Sequence, residues 1–192
     1  MMLCRYQTNK IWSVKETLLD GYAEPVTLAE VKEWLAVTFM DDDDLLTRLI
    51  TQCRAALEKF CNISMVTKTI VLDCDLYEET ELPYGPVNTM VIVELKTDRA
   101  AYTAQSSDTY DLDGDLFKRF SVTTGGRYRL TYTTPAYAPE DLKLDLLRII
   151  GYCYEHRGDE PMTSLQGGQQ RAKNLGDAME LFAGNHQRLA WA

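Results

Sequence analysis

Arg127-Tyr128-Arg129-Leu130-Thr131-Tyr132-Thr133 alternates along the chain, and Pro139-Glu140-Asp141-Leu142 follows six residues after it. The first stretch has the period of two expected of a strand with one covered face. The second opens a run with helical spacing. Pro139 suits the first turn, where no backbone hydrogen bond is donated, and Glu140 and Asp141 face the positive end of the helix dipole. Strands and helices in separate runs place the chain in the α+β class.

Upstream of Arg127 the pattern stays that of strands. Lys68 to Asp75 carries Thr69, Ile70, Val71 and Leu72 and reads as a strand. Leu82-Pro83-Tyr84-Gly85-Pro86 is a sharp break, because two prolines and a glycine exclude regular pairing. Met90 to Leu95 is β-branched and apolar. Thr109 to Leu112 and Leu116 to Val122 flank Asp113-Gly114, a hairpin signal. Gly125-Gly126 suggests another tight turn. These segments predict an antiparallel β insertion over residues 66–134.

Three main helices frame it. Thr27-Leu28-Ala29-Glu30 is a capping box, with Val26 and Val31 placed to form a hydrophobic staple; it predicts a helix over 27–36. Asp41-Asp42-Asp43-Asp44 suits a helix start. Leu45, Leu46, Leu49, Ile50, Cys53, Ala56, Leu57, Phe60 and Cys61 then form a broad apolar stripe, predicting a helix over 41–62. The Pro139 helix extends over 139–157. Its apolar residues, among them Leu142, Leu144, Leu146, Leu147, Ile149, Ile150, Tyr152, Cys153 and Tyr154, cover more than one face. Such a helix is central in a core or also serves an assembly contact.

The expected fold is therefore α+β: a small helical bundle of three main helices with an antiparallel β insertion and a flexible C-terminal tail. Residues 1–24 read as an N-terminal arm, extended or a short strand. Residues 25–158 form the core, and residues 159–192 a linker and docking tail. Within the tail, Leu175, Ala178, Met179 and Phe182 lie on one side of a short helix over 171–183.

Composition bounds the function. The chain has 192 residues, 45% hydrophobic and 26% charged, enough for one proper core. Its acidic residues outnumber its basic ones 29 to 20, and the net charge of −9 disfavours tight grip on DNA phosphates. No apolar run approaches the roughly 20 residues of a membrane span. The N-terminal Met1 to Trp12 lacks the apolar stretch of a secretory signal. The five cysteines, Cys4, Cys53, Cys61, Cys74 and Cys153, include no C-x-x-C pair and read as reduced thiols.

No catalytic constellation emerges. His156 and His186 belong to no H-E-x-x-H pair and read as surface histidines near helix ends. There is no G-x-S-x-G elbow, Walker loop or G-x-G-x-x-G fingerprint. Asp41 to Asp44 and Asp111 to Asp115 both fail the EF-hand pattern: Gln52 and Val122 stand where the twelfth-position Glu belongs. The expectation is a structural protein with no catalytic, cofactor or metal site.

The order of elements resembles the head–tail connector (adaptor) family of long-tailed bacteriophages, whose members sit beneath the portal. Four stretches carry the likeness: Glu24-Pro25-Val26-Thr27-Leu28-Ala29-Glu30-Val31-Lys32; Asp43-Asp44-Leu45-Leu46 running to Phe60; Glu81-Leu82-Pro83-Tyr84-Gly85-Pro86-Val87; and Ala136-Tyr137-Ala138-Pro139-Glu140-Asp141-Leu142-Lys143, continuing to Arg157. They span about residues 22–158. The resemblance implies a ring, typically dodecameric, that docks on the portal, receives the tail or its stopper, and leaves a channel for DNA. DNA would pass without sequence-specific binding. The place implied is the virion neck, reached from the host cytoplasm during assembly, with no membrane partner.

In that frame the acidity has a use, since a negative lumen repels phosphate. Trp12, Leu144, Leu147, Tyr154, Phe182, Leu189 and Trp191 are the candidate assembly contacts. The competing readings are another neck or tail-completion protein, and a small cytoplasmic enzyme or binding module with no viral role. A deep pocket with convergent polar groups would favour the enzyme.

Overall fold

The computed structural model describes residues 8–98, 101–157 and 175–186. It divides into two compact units. The described residues of the first are 8–22, 66–98 and 101–137; those of the second are 23–65, 138–157 and 175–186.

The first unit is all antiparallel sheet. Its strands are β1 (Lys10–Leu18), β2 (Lys68–Leu76), β3 (Thr80–Glu81), β4 (Thr89–Lys96), β5 (Tyr102–Ala104), β6 (Tyr110–Asp113), β7 (Arg119–Val122) and β8 (Gly126–Thr134). Five of them form one sheet in the order β1-β2-β8-β4-β5; the other three form a second in the order β3-β7-β6. The alternation of β2 and β8 dictates the core. Ile70, Leu72 and Cys74 stand opposite Tyr132, Leu130 and Tyr128 and are buried with them. Phe120 of β7 joins that cluster, with Leu82, Val87 and Val93. Burial of such side chains contributes roughly 1.5–3 kcal/mol each. The Tyr132 hydroxyl donates to the Pro83 carbonyl at 2.7 Å, which satisfies a buried polar group and pins the proline-rich break to the sheet. The predicted β6–β7 hairpin is present, and Gly114 at its tip has φ +99°, a conformation in which a side chain is strained.

The second unit is helical: α1 (Leu28–Trp34), α2 (Asp43–Cys61), α3 (Glu140–Glu155) and α4 (Leu175–Ala183). The capping box forms as expected. The Glu30 amide donates to Thr27 Oγ1 at 3.2 Å, and the Thr27 amide donates to the Glu30 carboxylate at 2.6 Å. Val26 and Val31 are both buried. Helix α2 stops at Asn62, which takes the left-handed conformation with φ +55°. Helix α3 begins after Pro139 and buries Leu142, Leu146, Ile149 and Ile150. It packs on α1, α2 and α4.

One feature corrects the expected architecture. The molecule is not a three-helix bundle with a β insertion. Among the described residues, sheets hold their own core in a separate unit, and the helical unit has a fourth helix, α4. The lead-in to Thr27, expected as an extended arm or a short strand, carries the nine-residue strand β1, which pairs with β2 from Lys10 to Leu18. Its alternation is hard to read because it lies at the sheet's edge and leaves most of its side chains exposed. A bulge between Ile11 and Ser13 breaks its register further.

Candidate assembly surfaces

The expected contact residues fall in three places. Trp12 sits at the β1 bulge and is 48% exposed. Its ring lies between two cations, Lys10 at 4.0 Å and Arg127 at 4.7 Å from its centroid. Tyr102 on the same sheet carries Arg129 at 4.1 Å, and Arg129 in turn bonds Asp73 at 2.9 Å. Leu144 and Leu147 are half-buried on α3. Tyr154 is half-buried too, and its hydroxyl donates to the Asp42 carboxylate, so it serves the helical unit itself. Phe182 of α4 lines a cleft. Leu189 and Trp191, the predicted linker and the first residues of the predicted tail helix lie outside the described residues.

That cleft was not visible from spacing. It has a volume of about 410 Å³ and is lined by Trp34, Leu35, Arg148, Gly151, Tyr152, Glu155 and Phe182. Residues from α1, α3 and α4 meet there, and Gly151 lets Leu35 and Trp34 lie close against the α3 backbone. The rings of Trp34, Tyr152 and Phe182 share its lining with Arg148 and Glu155, which stand seven residues apart on α3. No carboxylate or histidine cluster suited to a metal is found among the described residues. No helix among them is long and apolar enough to cross a membrane.

A second exposed apolar feature comes from the same unit. Phe39 and Met40, in the loop between α1 and α2, are 50% and 77% exposed. The loop is firmly held. Lys32 Nζ donates to the Phe39 carbonyl at 2.7 Å and to Asp43 at 2.6 Å. Asp42 accepts from Tyr154 and Arg157. Val37 is buried beneath it. The Asp41 to Asp44 run, expected to open a helix, thus also anchors this loop.

The helical unit is braced by buried charge. Arg54 and Glu58 are 3% and 1% exposed, and Arg54 Nη1 donates to Glu58 at 2.6 Å. Arg54 Nε donates to Glu24 at 2.7 Å, and the Met65 amide donates to the other Glu58 oxygen at 2.7 Å. Burial works against the Arg54 charge. The bond to Glu24 and the charges of Glu58 and Glu24 outweigh it and hold the guanidinium above its ordinary range. Near α4, His186 faces Asp145 at 3.4 Å and Asp141 at 3.6 Å. Burial raises the Asp145 carboxyl, although His186 and Arg148 pull it down. His186 is therefore half-buried within a cluster, not simply at the surface; His156 is exposed at the end of α3.

The cysteines behave as small core groups. Cys53, Cys61 and Cys74 are buried and free, and Cys153 is free and half-buried. Burial pushes the Cys61 and Cys74 thiols up to about 12, with nearby carboxylates adding to it. They are neutral thiols at ordinary pH.

Comparison with known proteins places this fold in a family. Among solved structures, the chain is similar to a protein in the neck of an empty GTA particle computed with C6 symmetry. The identity is 18% and the TM-score 0.65, covering 93% of this chain and 97% of that one. It is similar to a chain from the virion of a native gene transfer agent (GTA) particle, at 19% identity and a TM-score of 0.63, covering 89% and 95%. A third similar chain, at 20% identity and a TM-score of 0.61, covering 93% and 97%, comes from the neck of a native GTA particle computed with C12 symmetry. These likenesses carry the fold. A search of curated protein sequences finds no match. The model of the head completion protein family matches residues 24–179, taking in α1, α2, both sheets apart from β1, α3 and the start of α4. The chain belongs to the head completion protein family, structural proteins that join the phage head to its tail.

Proposed function

We propose that copies of this chain close into a ring at the neck, seated on the portal and receiving the tail or its stopper, with DNA passing through the centre. The observation that carries the ring is the likeness, over 93% of the chain, to neck proteins whose particles were computed with C6 and C12 symmetry. Twelve copies would suit both symmetries. A ring needs heterologous contacts, in which one surface meets a different surface of the neighbour. The exposed apolar residues of this chain support such contacts: Trp12, Leu18 and Leu19 along one sheet edge, Val91 and Ile92 on β4, and the Phe39–Met40 pair.

The acidity supports a slippery lumen. Asp108, Asp111, Asp113 and Asp115 are exposed along the β6–β7 hairpin. Carboxylates facing the channel would repel phosphate and let DNA slide.

Mass measurement in solution, with and without the portal, tests the ring. The expected result is a multimer of one size, formed alone or on the portal. A chain that stays monomeric and never joins the portal would refute the reading. A ring whose channel is lined by lysine and arginine would refute the slippery lumen.

A further inference from the structure

Phe39 and Met40 pose a question that the helical unit does not answer. Two adjacent large apolar side chains are held in solvent by a loop that four polar bonds and a buried valine make rigid. A contiguous apolar projection of this kind marks a contact surface. A receptor for it exists on the same unit, in the aromatic cleft of Trp34, Tyr152 and Phe182. It is an open cleft of about 410 Å³ at the surface. Aromatic residues and arginine are the types that dominate binding energy, and methionine adapts to irregular gaps.

The projection does not fill its own cleft. Tyr154, which holds the loop through Asp42, is turned about 110° round α3 from the centre of Arg148, Gly151, Tyr152 and Glu155, at ~100° per residue. Projection and receptor therefore face different ways on one molecule. Such a pair repeats head to tail, the heterologous geometry that gives a ring when the rotation between neighbours closes.

Charge sets the direction of docking. Asp41, exposed, follows Met40 directly, whereas Thr38 precedes Phe39. Arg148 and Glu155 both line the cleft, roughly 10 Å apart along α3 at ~1.5 Å per residue. Only one orientation brings Asp41 to Arg148 and away from Glu155; the reverse sets two carboxylates together.

We propose that Phe39 and Met40 of one copy dock in the cleft of Trp34, Tyr152 and Phe182 of the next, with Asp41 against Arg148. This contact rests on the ring reading above and names the surfaces that would close it.

The test uses the full chain. Met40→Asp puts a charge at a side chain that is 77% exposed, so the fold should be retained with an unchanged melting temperature. The concentration needed for ring assembly should rise at least about 30-fold, as for loss of a binding hot spot. A second measurement mixes Met40→Cys chains with Phe182→Cys chains under oxidation. Cross-linked dimers should appear in the mixture and not in either variant alone. Wild-type-like assembly of Met40→Asp, or mixed rings without the cross-link, would overturn the contact while leaving the ring intact. So would Met40→Asp rings that form normally but no longer join the portal, which would make the portal the occupant. A wild-type chain that never forms a ring would overturn both readings.

Discussion

The sheet unit and the helical unit solve the same packing problem in opposite ways. In the sheet unit, alternation along β2 and β8 sends Ile70, Leu72, Cys74, Leu130 and Tyr132 to one face, and the core is almost wholly apolar. Its buried charge, Lys68, lies at the end of β2 and bonds Glu16 at 2.7 Å. In the helical unit, two helices have only seven and nine residues, too short to be stable on their own. There the chain inserts charge into the interior. Arg54 joins Glu24 to Glu58, and Glu58 captures the Met65 amide beyond the helix end. A strand sorts its side chains by period alone. Short helices and the loops between them need specific pins, and a separate set, Lys32 on Asp43 and Tyr154 and Arg157 on Asp42, holds the loop of Phe39 and Met40.

The contrast can be broken most severely at Arg54. Replacement by alanine leaves Glu58 buried without its cation and should cost about 3–5 kcal/mol in denaturant unfolding. Arg54→Met combined with Glu58→Gln keeps an acceptor for the Met65 amide and removes the uncompensated charge, so most of that loss should return. If the single substitution proves as mild as a surface change, the helical unit is not braced by charge.

In the sheet unit the largest effect should come from volume. Leu72, fully buried on β2, should cost about 2–5 kcal/mol when cut to alanine, by transfer and cavity terms alone. That cost should be nearly independent of salt and of pH between 6 and 8, since no ionisable group is involved. A marked pH dependence would show that the two cores are less different than their composition suggests.

A smaller effect tests the cap of α1. Thr27→Ala should lose about 1 kcal/mol. The amide of Thr27, and then its hydroxyl, hold the Glu30 carboxyl below its ordinary 4.5. A lowered carboxyl contributes stability that is fully present above 4.5 and is lost as the pH falls through the lower folded value. Glu30→Gln should therefore lose a few tenths of a kcal/mol at neutral pH and nothing in acid, where the carboxyl is protonated, so that the acid limb flattens slightly. An acid limb unaltered in Glu30→Gln would mean that the carboxylate adds nothing to the cap.

Much of the helical unit was legible because its signals are local. The capping box needs only Thr27 and Glu30, three residues apart, and the stop of α2 at Asn62 needs one left-handed residue. Strands β2, β4 and β8 are legible by their apolar and alternating residues, and the β6–β7 hairpin by Asp113-Gly114, whereas the short β3 and β5 carry no such signal. Among the candidate contacts, Phe182 does lie in the aromatic cleft, whereas Tyr154 is spent on Asp42 within its own chain. Trp34, Phe39 and Met40 were not singled out, because an isolated aromatic or a loop methionine has no periodicity to betray it.

The sequence by itself determined the α+β class, the caps, the strand alternation, the lack of a catalytic motif and the order of elements shared with a phage neck family. Those follow from residues a few positions apart, where sterics and backbone hydrogen bonding act directly. Only the tertiary structure decided that the sheets carry a core of their own, that β1 extends the larger one, and that Arg54 and Glu58 lie inside. Each of these depends on partners distant in the chain: β1 pairs with a strand some 50 residues on, and Arg54 reaches Glu24 across 30. Local preference cannot register such pairings, because the free energy that favours them appears only once the partners have met.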